Sequence, residues 1–392
     1  MLPVEQLYEK GVELVKKSRG KLEIVSKISV ANLEELSIVY TPGIAEPTRQ
    51  VHKNKELQYE YTAKSTMLAV VTDGTAVLGL GNVGPEAAMV VMEGKGAMLK
   101  HYAGADPVPL CFSTDDPEEI IKSLCYLEPS FSFIFMEDIS APRCFYIEEE
   151  LGKRLSIPVF HDDQHGTAIA VCAGITNIVR ITKRDIASLR VVINGAGASG
   201  LATAKLLMEL GIKDLTVCDK HGVIGKSDKD NPYQHAMGSC TNMRNVSTLQ
   251  EAMVGADVFI GLSVGNVVSK EMVRSMAPEA VVFAMANPNP EILPPDALEA
   301  GARFVATGRF DYPNTVNNLL AFPGVVRGAM EVRARGISLG MKLAAVKAIA
   351  AFVRDEELND KYILPNPLDP GLAASVAKTV AATARKEGLA RI

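Results

Sequence analysis

The segment LRVVINGAGASGLATAKLLMELG, residues 189–211, decides the fold class of this chain. It begins with a short apolar strand pattern, continues through a turn that contains Gly195, Gly197 and Gly200, and ends in an apolar helix pattern. The first glycine permits the tight turn, the second lets the backbone approach a pyrophosphate, and the third lets helix and strand pack closely. The segment therefore predicts a Rossmann-type dinucleotide-binding domain in an α/β protein.

Residues next to and beyond the glycines support this interpretation. Ala198 and Ser199 begin the helix, whose positive end would meet the pyrophosphate. Asp219 closes the next predicted strand about 20 residues later, where its carboxylate can accept hydrogen bonds from the ribose hydroxyls. A glycine-rich turn without a ligand is the alternative, and this acid disfavours it. Asp219 favours NAD, but Lys220 and His221 follow it and could meet a 2'-phosphate, so NADP stays open.

The rest of the sequence alternates strand patterns with helix patterns, which is typical of parallel sheets covered by helices. In the first half, strands are predicted at residues 66–71, 108–112, 131–136 and 157–160. Helices are predicted at residues 86–102, 117–127, 142–155 and 167–181. A second series of strands is predicted at residues 190–193, 215–218, 258–262, 281–285 and 304–307. Two such series predict two domains.

The length of the chain agrees with two domains. At roughly 100 to 200 residues per domain, 392 residues exceed one ordinary core. We place an N-terminal domain at residues 1–160 and the Rossmann-type domain at residues 161–392. The C-terminal third of the chain, including residues 341–355 and 372–388, is predicted to be helical and to pack against both domains.

The composition excludes several classes of protein. Hydrophobic residues make up 47% of the chain and charged residues 22%, the formal net charge is -5, and the pI is about 5.8. This balance attracts neither nucleic acid nor an anionic membrane surface. No apolar stretch reaches the roughly 20 residues that a membrane span needs.

The cysteines indicate a reducing compartment. They are scattered through the chain without a CxxC pair, at Cys111, Cys125, Cys144, Cys172, Cys218 and Cys240. We therefore expect a cytoplasmic protein with reduced, buried thiols.

Two acidic pairs follow predicted strands of the first domain. They are Glu137 with Asp138 and Asp162 with Asp163. Such residues could be helix caps or turn residues, but open α/β sheets bind ligands at the carboxyl ends of their strands. Clustered carboxylates repel one another unless a cation or protons intervene, and hard oxygen ligands suit Mg²⁺ or Mn²⁺. The two pairs therefore predict a divalent-metal site.

Two histidines flank the second acidic pair. His161 and His165 could in principle ligate zinc or iron together with Asp162 or Asp163. No third histidine or cysteine falls at a helpful spacing, so this alternative is the less favoured one.

Eight motifs of this chain resemble those of the malic enzyme family. They are YTPGIAEP (40–47), VTDGTAVLGLGNVGP (71–85), VMEGKG (91–96), MEDISAPRCF (136–145), FHDDQHGTA (160–168), ANPNPEI (286–292), ATGRFDYPN (306–314) and VNNLLAFPG (316–324). They occur in the order found in that family. The resemblance implies a catalytic N-terminal domain akin to those of amino-acid dehydrogenases, followed by a dinucleotide-binding domain.

The resemblance also implies catalytic roles for three residues. Tyr40 matches the catalytic tyrosine of the family, Lys95 its catalytic lysine, and Asp162 the acidic partner of that lysine. Lys95 would accept the hydroxyl proton of malate, and Tyr40 would protonate C3 after the loss of CO₂. To act as a base, Lys95 needs a pKa below its usual value of about 10.4, and Asp162 acts in the opposite direction.

The ligands of the metal and the substrate follow from the same resemblance. Glu137, Asp138 and Asp163 match the metal ligands of the family. Asn287 and Asn318 match asparagines that contact substrate or nicotinamide. The cofactors implied are NAD, with NADP as an alternative, and Mg²⁺ or Mn²⁺.

The implied activity is the oxidative decarboxylation of L-malate to pyruvate and CO₂ by a homodimer or a higher homo-oligomer. A malolactic or oxaloacetate-decarboxylating relative would use the same residues, so it is the nearest alternative. A catalytically inactive sensor is disfavoured because Tyr40, Lys95 and Asp163 are all present.

The chain departs from the family pattern in places. The large eukaryotic enzymes have an arginine that binds the malate carboxylate where this chain has Thr75 and Ala76. The short prokaryotic members share that absence, but they usually have other residues where this chain has Phe310 and His165. How the substrate carboxylates are held is therefore not fixed by the resemblance.

Overall fold

Two sheets of mainly parallel strands follow one another along the chain. The computed structural model describes residues 4–225 and 227–392. The first sheet consists of β1 Met67–Thr72, β2 Asp106–Cys111, β3 Phe133–Met136 and β4 Val159–His161. Its order is β2-β1-β3-β4, and its neighbouring strands pair in parallel.

The second sheet has the arrangement of a dinucleotide-binding domain. Its strands are β5 Arg190–Asn194, β6 Asp214–Asp219, β7 Gly222–Val223, β8 Val258–Gly261, β9 Val281–Ala284 and β10 Phe304–Thr307. The order is β10-β9-β8-β5-β6-β7, with the glycine-rich turn directly after β5 in the middle of the sheet. The short β7 pairs antiparallel with β6 and was not predicted. The α/β class and the Rossmann-type domain are confirmed.

Helices cover both sheets. The α-helices of the described residues are α1 Val4–Ser18, α2 Leu33–Val39, α3 Ala45–Lys53, α4 Gln58–Tyr61, α5 Pro85–Met98, α6 Pro117–Leu127, α7 Arg143–Arg154, α8 Asp162–Thr182, α9 Ala198–Glu209, α10 Pro232–Gly238, α11 Leu249–Met253, α12 Lys270–Arg274, α13 Pro294–Glu299, α14 Phe322–Glu331, α15 Leu339–Phe352 and α16 Leu372–Lys386. Because helices lie on both faces, strands such as β3 and β8 are buried along their whole length, which explains their uninterrupted apolar sequences.

The structure corrects three predicted boundaries. Strand β2 begins at Asp106, two residues before the predicted start, and contains Pro107 and Pro109. An edge strand tolerates proline because one row of its N–H groups has no partner strand. The predicted helix 86–102 is an α-helix only to Met98 and continues as a π-helical turn. Helix α8 begins at Asp162, five residues before the predicted start, so the second acidic pair forms its first turn.

The C-terminal helices contact both halves of the chain, as expected. A Cβ atom added at Gly324 in α14 would lie 2.4 Å from the side chain of Val376 in α16, so these helices pack closely. The rings of Phe135 in β3 and Phe322 in α14 are 5.5 Å apart, edge to face. Arg391 donates to the Tyr59 hydroxyl at 3.3 Å. The C-terminal region therefore braces the first sheet as well as the second.

The long helix α8 leads from the first sheet to the second. The division of the chain after residue 160 remains a prediction, and it falls two residues before this helix begins. Among residues 4–225 and 227–392, no helix is both long and apolar enough to cross a bilayer. The six cysteines are free, and three of them are buried, but Cys240 is exposed. The expectation that all the thiols are buried is therefore wrong.

Candidate active site

A cleft of about 610 Å³ lies where the carboxyl ends of both sheets meet. Loops after β3, β5, β8, β9 and β10 and the start of α8 form its walls. The sequence-predicted residues that line it are Lys95, Glu137, Asp138, Asp163, Gly197, Ala198, Ser199, Asn287 and Asn318. The structure thus brings together the predicted acidic cluster, the catalytic lysine and the dinucleotide-binding turn.

Three carboxylates in this cleft form a candidate metal site. One oxygen from each of Glu137, Asp138 and Asp163 lies within 4.8 Å of the other two. Glu137 Oε2 is buried and has no hydrogen-bond partner in the part of the chain that the structure describes. Burial of a charged oxygen without a partner is costly, and a cation would remove that cost. The residues present therefore fit a divalent cation that prefers oxygen ligands.

The local backbone explains how these carboxylates converge. Glu137 and Asp138 follow β3 directly, and Asp138 has the left-handed φ of 55°, which is uncommon for a residue with a side chain. Asp163 lies in the first turn of α8, immediately after β4. The backbone N–H of Asp138 donates to Asp163 Oδ2 at 2.8 Å, which joins the two strand ends.

The flanking histidines are engaged by other groups. His161 is fully buried, and its Nε2 lies 3.0 Å from Asp163 Oδ2, while its Nδ1 lies 3.1 Å from the Gln164 amide. His165 Nε2 lies 2.8 Å from Glu148 Oε1. Burial opposes the charged form of His161, but its hydrogen bond to Asp163 raises the pKa well above the usual value. These contacts leave an all-oxygen ligand set and disfavour the zinc or iron alternative.

Lys95 lies between the candidate metal site and a buried aspartate. Its Nζ is 2.8 Å from Asp162 Oδ2 and 2.9 Å from Glu137 Oε1, and only 12% of its side chain is exposed. Its ammonium group also lies 4.7 Å from the centre of the Phe322 ring. Burial alone would lower the pKa of Lys95, but the charges of Asp162 and Glu137 raise it above the usual range.

The carboxyl groups around Lys95 differ in acidity. Burial raises the pKa of Glu137 well above its usual value, against the opposing charge of Lys95. Burial also raises the pKa of Asp162. For Asp163, burial is outweighed by the hydrogen bond from His161, which lowers the pKa. Groups with pKa values displaced in opposite directions are a recurring property of catalytic sites.

The surroundings of the three glycines in the turn explain why glycine is needed at two of them. Gly195 has a φ of 124°, and a Cβ atom there would lie 2.2 Å from the carbonyl oxygen of Leu262. A Cβ atom at Gly200 would lie 1.6 Å from the Gly195 oxygen, so only glycine allows this approach of helix and strand. Gly197 lines the cleft, and a Cβ atom there would meet no atom within 4 Å. Its backbone is thus open to a ligand.

The glycine-rich turn and the candidate metal site are directly connected. Ser199, in the first turn of α9, donates its hydroxyl hydrogen to the backbone carbonyl of Asp163 at 2.7 Å. Asp219 ends β6 and is partly exposed, and its Oδ1 accepts the backbone N–H of His221 at 2.7 Å. No described residue donates a hydrogen bond to its other oxygen, Oδ2.

Four predicted site residues do not line the cleft but have the contacts or positions described above. They are Gly195, Gly200, Asp162 and Asp219. Tyr40 is different, because it ends α2 with 64% of its surface exposed. Its hydroxyl has no hydrogen-bond partner among the described residues. The structure therefore does not place Tyr40 beside Lys95 within one chain.

Two known protein families match this chain. Residues 19–152 match the family described as "Malic enzyme, N-terminal domain", and residues 164–386 match the one described as "Malic enzyme, NAD binding domain". The chain belongs to the malic enzyme family. The resemblance that its motifs suggested is confirmed.

Individual malic enzymes match over most of their length. The chain is 50% identical to the bifunctional malic/malolactic enzyme of Bacillus subtilis over 389 residues, which cover 98% of this chain and 95% of the relative. It is 46% identical to the NAD-dependent malic enzyme of Geobacillus stearothermophilus, over 95% of this chain and 78% of the relative.

Solved structures of malic enzymes have the same fold. The enzyme from Pyrococcus horikoshii matches with a TM-score of 0.94 and 43% identity, over 98% of this chain and 92% of that chain. The NAD-dependent malic enzyme of Thermotoga maritima matches with a TM-score of 0.91 and 42% identity, over 94% of this chain and 98% of that chain.

Two residues that position this malic enzyme site were missed from the sequence. Glu291 is fully buried and accepts the backbone N–H groups of Ser263 and Ala286, both at 3.0 Å, which fixes the loops after β8 and β9. Arg143 donates to Asp73 and Thr75, each at 3.0 Å. Both residues lie in motifs shared with the family, but a motif alone does not show which of its residues hold the others in position.

Proposed function

We propose that this chain oxidises L-malate to pyruvate and CO₂ while reducing NAD or NADP, with Mg²⁺ or Mn²⁺ as the metal. The observation that carries the proposal is the position of Lys95. Its ammonium group lies within 3 Å of Glu137 in the three-carboxylate cluster, in the same cleft as Gly197 of the dinucleotide turn. A base, a cation site and a hydride acceptor can therefore meet at one substrate carbon.

Glu137, Asp138 and Asp163 would hold the cation. When bound, it would supply stabilisation of the negative charge that develops during oxidation and decarboxylation. Asn287 and Asn318 line the same cleft and can donate amide hydrogens to the substrate carboxylates or the nicotinamide amide. They are the proposed replacement for the arginine that this chain lacks at Thr75 and Ala76.

Lys95 is the proposed acceptor of the C2 hydroxyl proton. Its raised pKa in the metal-free protein depends on Asp162 and Glu137. A cation held by Glu137 would compensate the charge of that carboxylate and would weaken its hold on the proton of Lys95. Asp162 remains 2.8 Å away and orients the amine toward the cleft.

Tyr40 is the proposed proton donor to C3, and we propose that it acts from a second copy of the chain in a homodimer or higher homo-oligomer. Exposed apolar side chains precede it, with Ile24 97% and Leu33 80% exposed. Exposed apolar side chains concentrated in one segment favour a protein–protein interface there. A partner docked there would cover this surface and could carry its Tyr40 to the cleft.

The activity can be tested in one spectrophotometric assay with L-malate, NAD or NADP, and Mn²⁺ or Mg²⁺. We expect one mole of reduced coenzyme and one mole of pyruvate for each mole of malate consumed. Reduced coenzyme without CO₂ release would indicate a simple malate dehydrogenase and contradict the proposal.

A malolactic reaction is the second candidate, because the Bacillus subtilis relative is named for both activities. In that reaction lactate would accumulate and no net reduced coenzyme would be released. Measuring lactate beside pyruvate in the same assay separates the two reactions.

For the coenzyme, we propose that NAD is preferred over NADP because Asp219 can bind the ribose diol and repels a 2'-phosphate. Asp219→Ala should lower kcat/KM for NAD about tenfold, the value of one charge-assisted hydrogen bond, and should raise it for NADP. Glu209→Ala, which removes an exposed carboxylate at the C-terminal end of α9, should change neither value. A wild-type preference for NADP would contradict this assignment and indicate Lys220 or His221 as the phosphate partner.

A further inference from the structure

A second cavity, of about 410 Å³, is lined by Gln164, His165 and Ala168 of α8, whereas Asp163 and Thr167 of the same helix line the catalytic cleft. It is bounded by α7, α8, α9 and the start of α15, and none of its described lining residues lines the cleft. Its volume lies within the range of pockets that bind small molecules, about 300 to 1,000 Å³. Neither the proposed chemistry nor the coenzyme requires it.

Cations from three separate elements converge on this cavity. They are Lys205 in α9, Arg335 before α15 and Lys342 in α15. The side chains of Lys205 and Arg335 form no ion pair or hydrogen bond with any residue that the structure describes. Lys342 is largely buried, and its Nζ lies 3.1 Å from the ring nitrogens of His165 rather than against a carboxylate.

The cavity has fewer carboxylates than cations, because among its described lining residues only Glu148 and Glu149 face Lys205, Arg335 and Lys342. Glu148 is already fully engaged, because its oxygens accept the backbone N–H of His161 at 3.1 Å and the Gln164 amide at 2.8 Å and lie 2.8 Å from His165. Glu149, at the rim, interacts with Tyr233. Burial lowers the pKa of Lys342, the charge of Glu148 raises it, and the nearby charge of Lys205 lowers it further. With three cations and two carboxylates in its lining, the cavity has an excess of one positive charge.

The remaining wall of the cavity is apolar. It includes Phe145, Ile157, Ile337 and Leu339. An inorganic anion would leave this surface without a contact, whereas a short carbon skeleton would cover it. The combination of several cations with an apolar wall therefore favours an organic ligand that carries more than one negative charge.

We propose that this cavity binds a small organic dianion, such as a phosphate monoester or a dicarboxylate, through Lys205, Arg335 and Lys342. Lys205 lies in α9 and Arg335 lies in the loop before α15, so a ligand that contacts both would join elements that are far apart in sequence. Such a site is separate from those of malate and coenzyme.

The test is calorimetric binding of glycerol 3-phosphate and of succinate to the full-length chain in EDTA, without malate or coenzyme. These probes separate the phosphate and dicarboxylate forms of the proposal. We expect at least one probe to bind at one site per chain with a millimolar or lower Kd. In the double variant Lys205→Gln with Arg335→Gln, that Kd should rise about tenfold or more, because charge-assisted contacts are lost.

Controls make the result specific to this cavity. Lys347→Gln removes an exposed cation of the same helix α15 that does not line the cavity, and it should leave the Kd unchanged. The double variant should keep the wild-type malate activity, since neither side chain makes a contact in the cleft. The proposal is overturned if neither probe binds the wild-type chain, or if the double variant binds as well as the wild type. Binding that Asp163→Ala removes belongs to the cleft and also overturns it.

Discussion

Asp163→Ala is expected to lower kcat by about three orders of magnitude or more while the protein stays folded. Asp163 offers one of the three clustered carboxylate oxygens, and it also receives the backbone N–H of Asp138 at 2.8 Å. The substitution removes a ligand and a negative charge together, so the affinity for a divalent cation should collapse. The fold should survive because the loss of one of several clustered carboxylates also relieves repulsion among those that remain.

The measurements are kcat with saturating Mn²⁺, the Kd of Mn²⁺ by calorimetry, and the melting temperature in EDTA. Asp228→Ala, an exposed aspartate outside the cleft, is the matched control and should leave all three values unchanged. Turnover by the wild-type enzyme that is unaffected by EDTA would show that the metal assignment is wrong.

Lys95→Ala and Tyr40→Phe should impair different steps. The first should slow oxidation of malate by about 10²-fold to 10⁴-fold, the usual contribution of a general base. The second should leave oxidation nearly intact and slow the protonation of C3, so reduction of pyruvate or oxaloacetate by NADH should be spared. Tyr126→Phe, which alters another exposed tyrosine, is the control. Equal losses in every partial reaction would contradict separate roles.

Mixing the Lys95→Ala and Tyr40→Phe variants tests whether Tyr40 acts across a dimer, with the overall conversion of malate to pyruvate as the measured activity. After dissociation and reassociation of equal amounts, half of the dimers should be mixed, and each mixed dimer would hold one site with both Lys95 and Tyr40. About one quarter of the wild-type activity should then return. If each active site were built from one chain, no mixture could restore it, and the absence of recovery would refute the exchange of Tyr40.

Sequence patterns predicted the elements whose periodicity is strong. The buried strands were found because both faces are covered, so their apolar runs are continuous. The turn at Gly195 was found because three positions at a fixed spacing each favour glycine for a separate reason. The acidic cluster was found because parallel strands end at one edge, so residues 137 and 163 had to lie near each other.

Other features depend on tertiary contacts that no local pattern encodes. The start of α8 at Asp162 was missed because acidic residues after a strand are equally compatible with a turn and with a first helical turn. The two residues of β7 are too short to show an alternation. Glu291 and Lys342 acquire their roles from partners that are distant along the chain, and the position of Tyr40 depends on surfaces outside a single chain.

The hydrogen bond from the Ser199 hydroxyl to the Asp163 carbonyl has a consequence for protein engineering. One way to change the coenzyme is to graft the glycine-rich turn of an unrelated dehydrogenase. Such a turn would usually be chosen by how well it fits the ribose and phosphates. In this scaffold, a graft without a hydroxyl at residue 199 would remove the hydrogen bond to the first turn of α8. Asp163, one of the three clustered carboxylates, would then be misaligned. Design libraries for coenzyme exchange should therefore keep Ser199 fixed and vary the residues after β6.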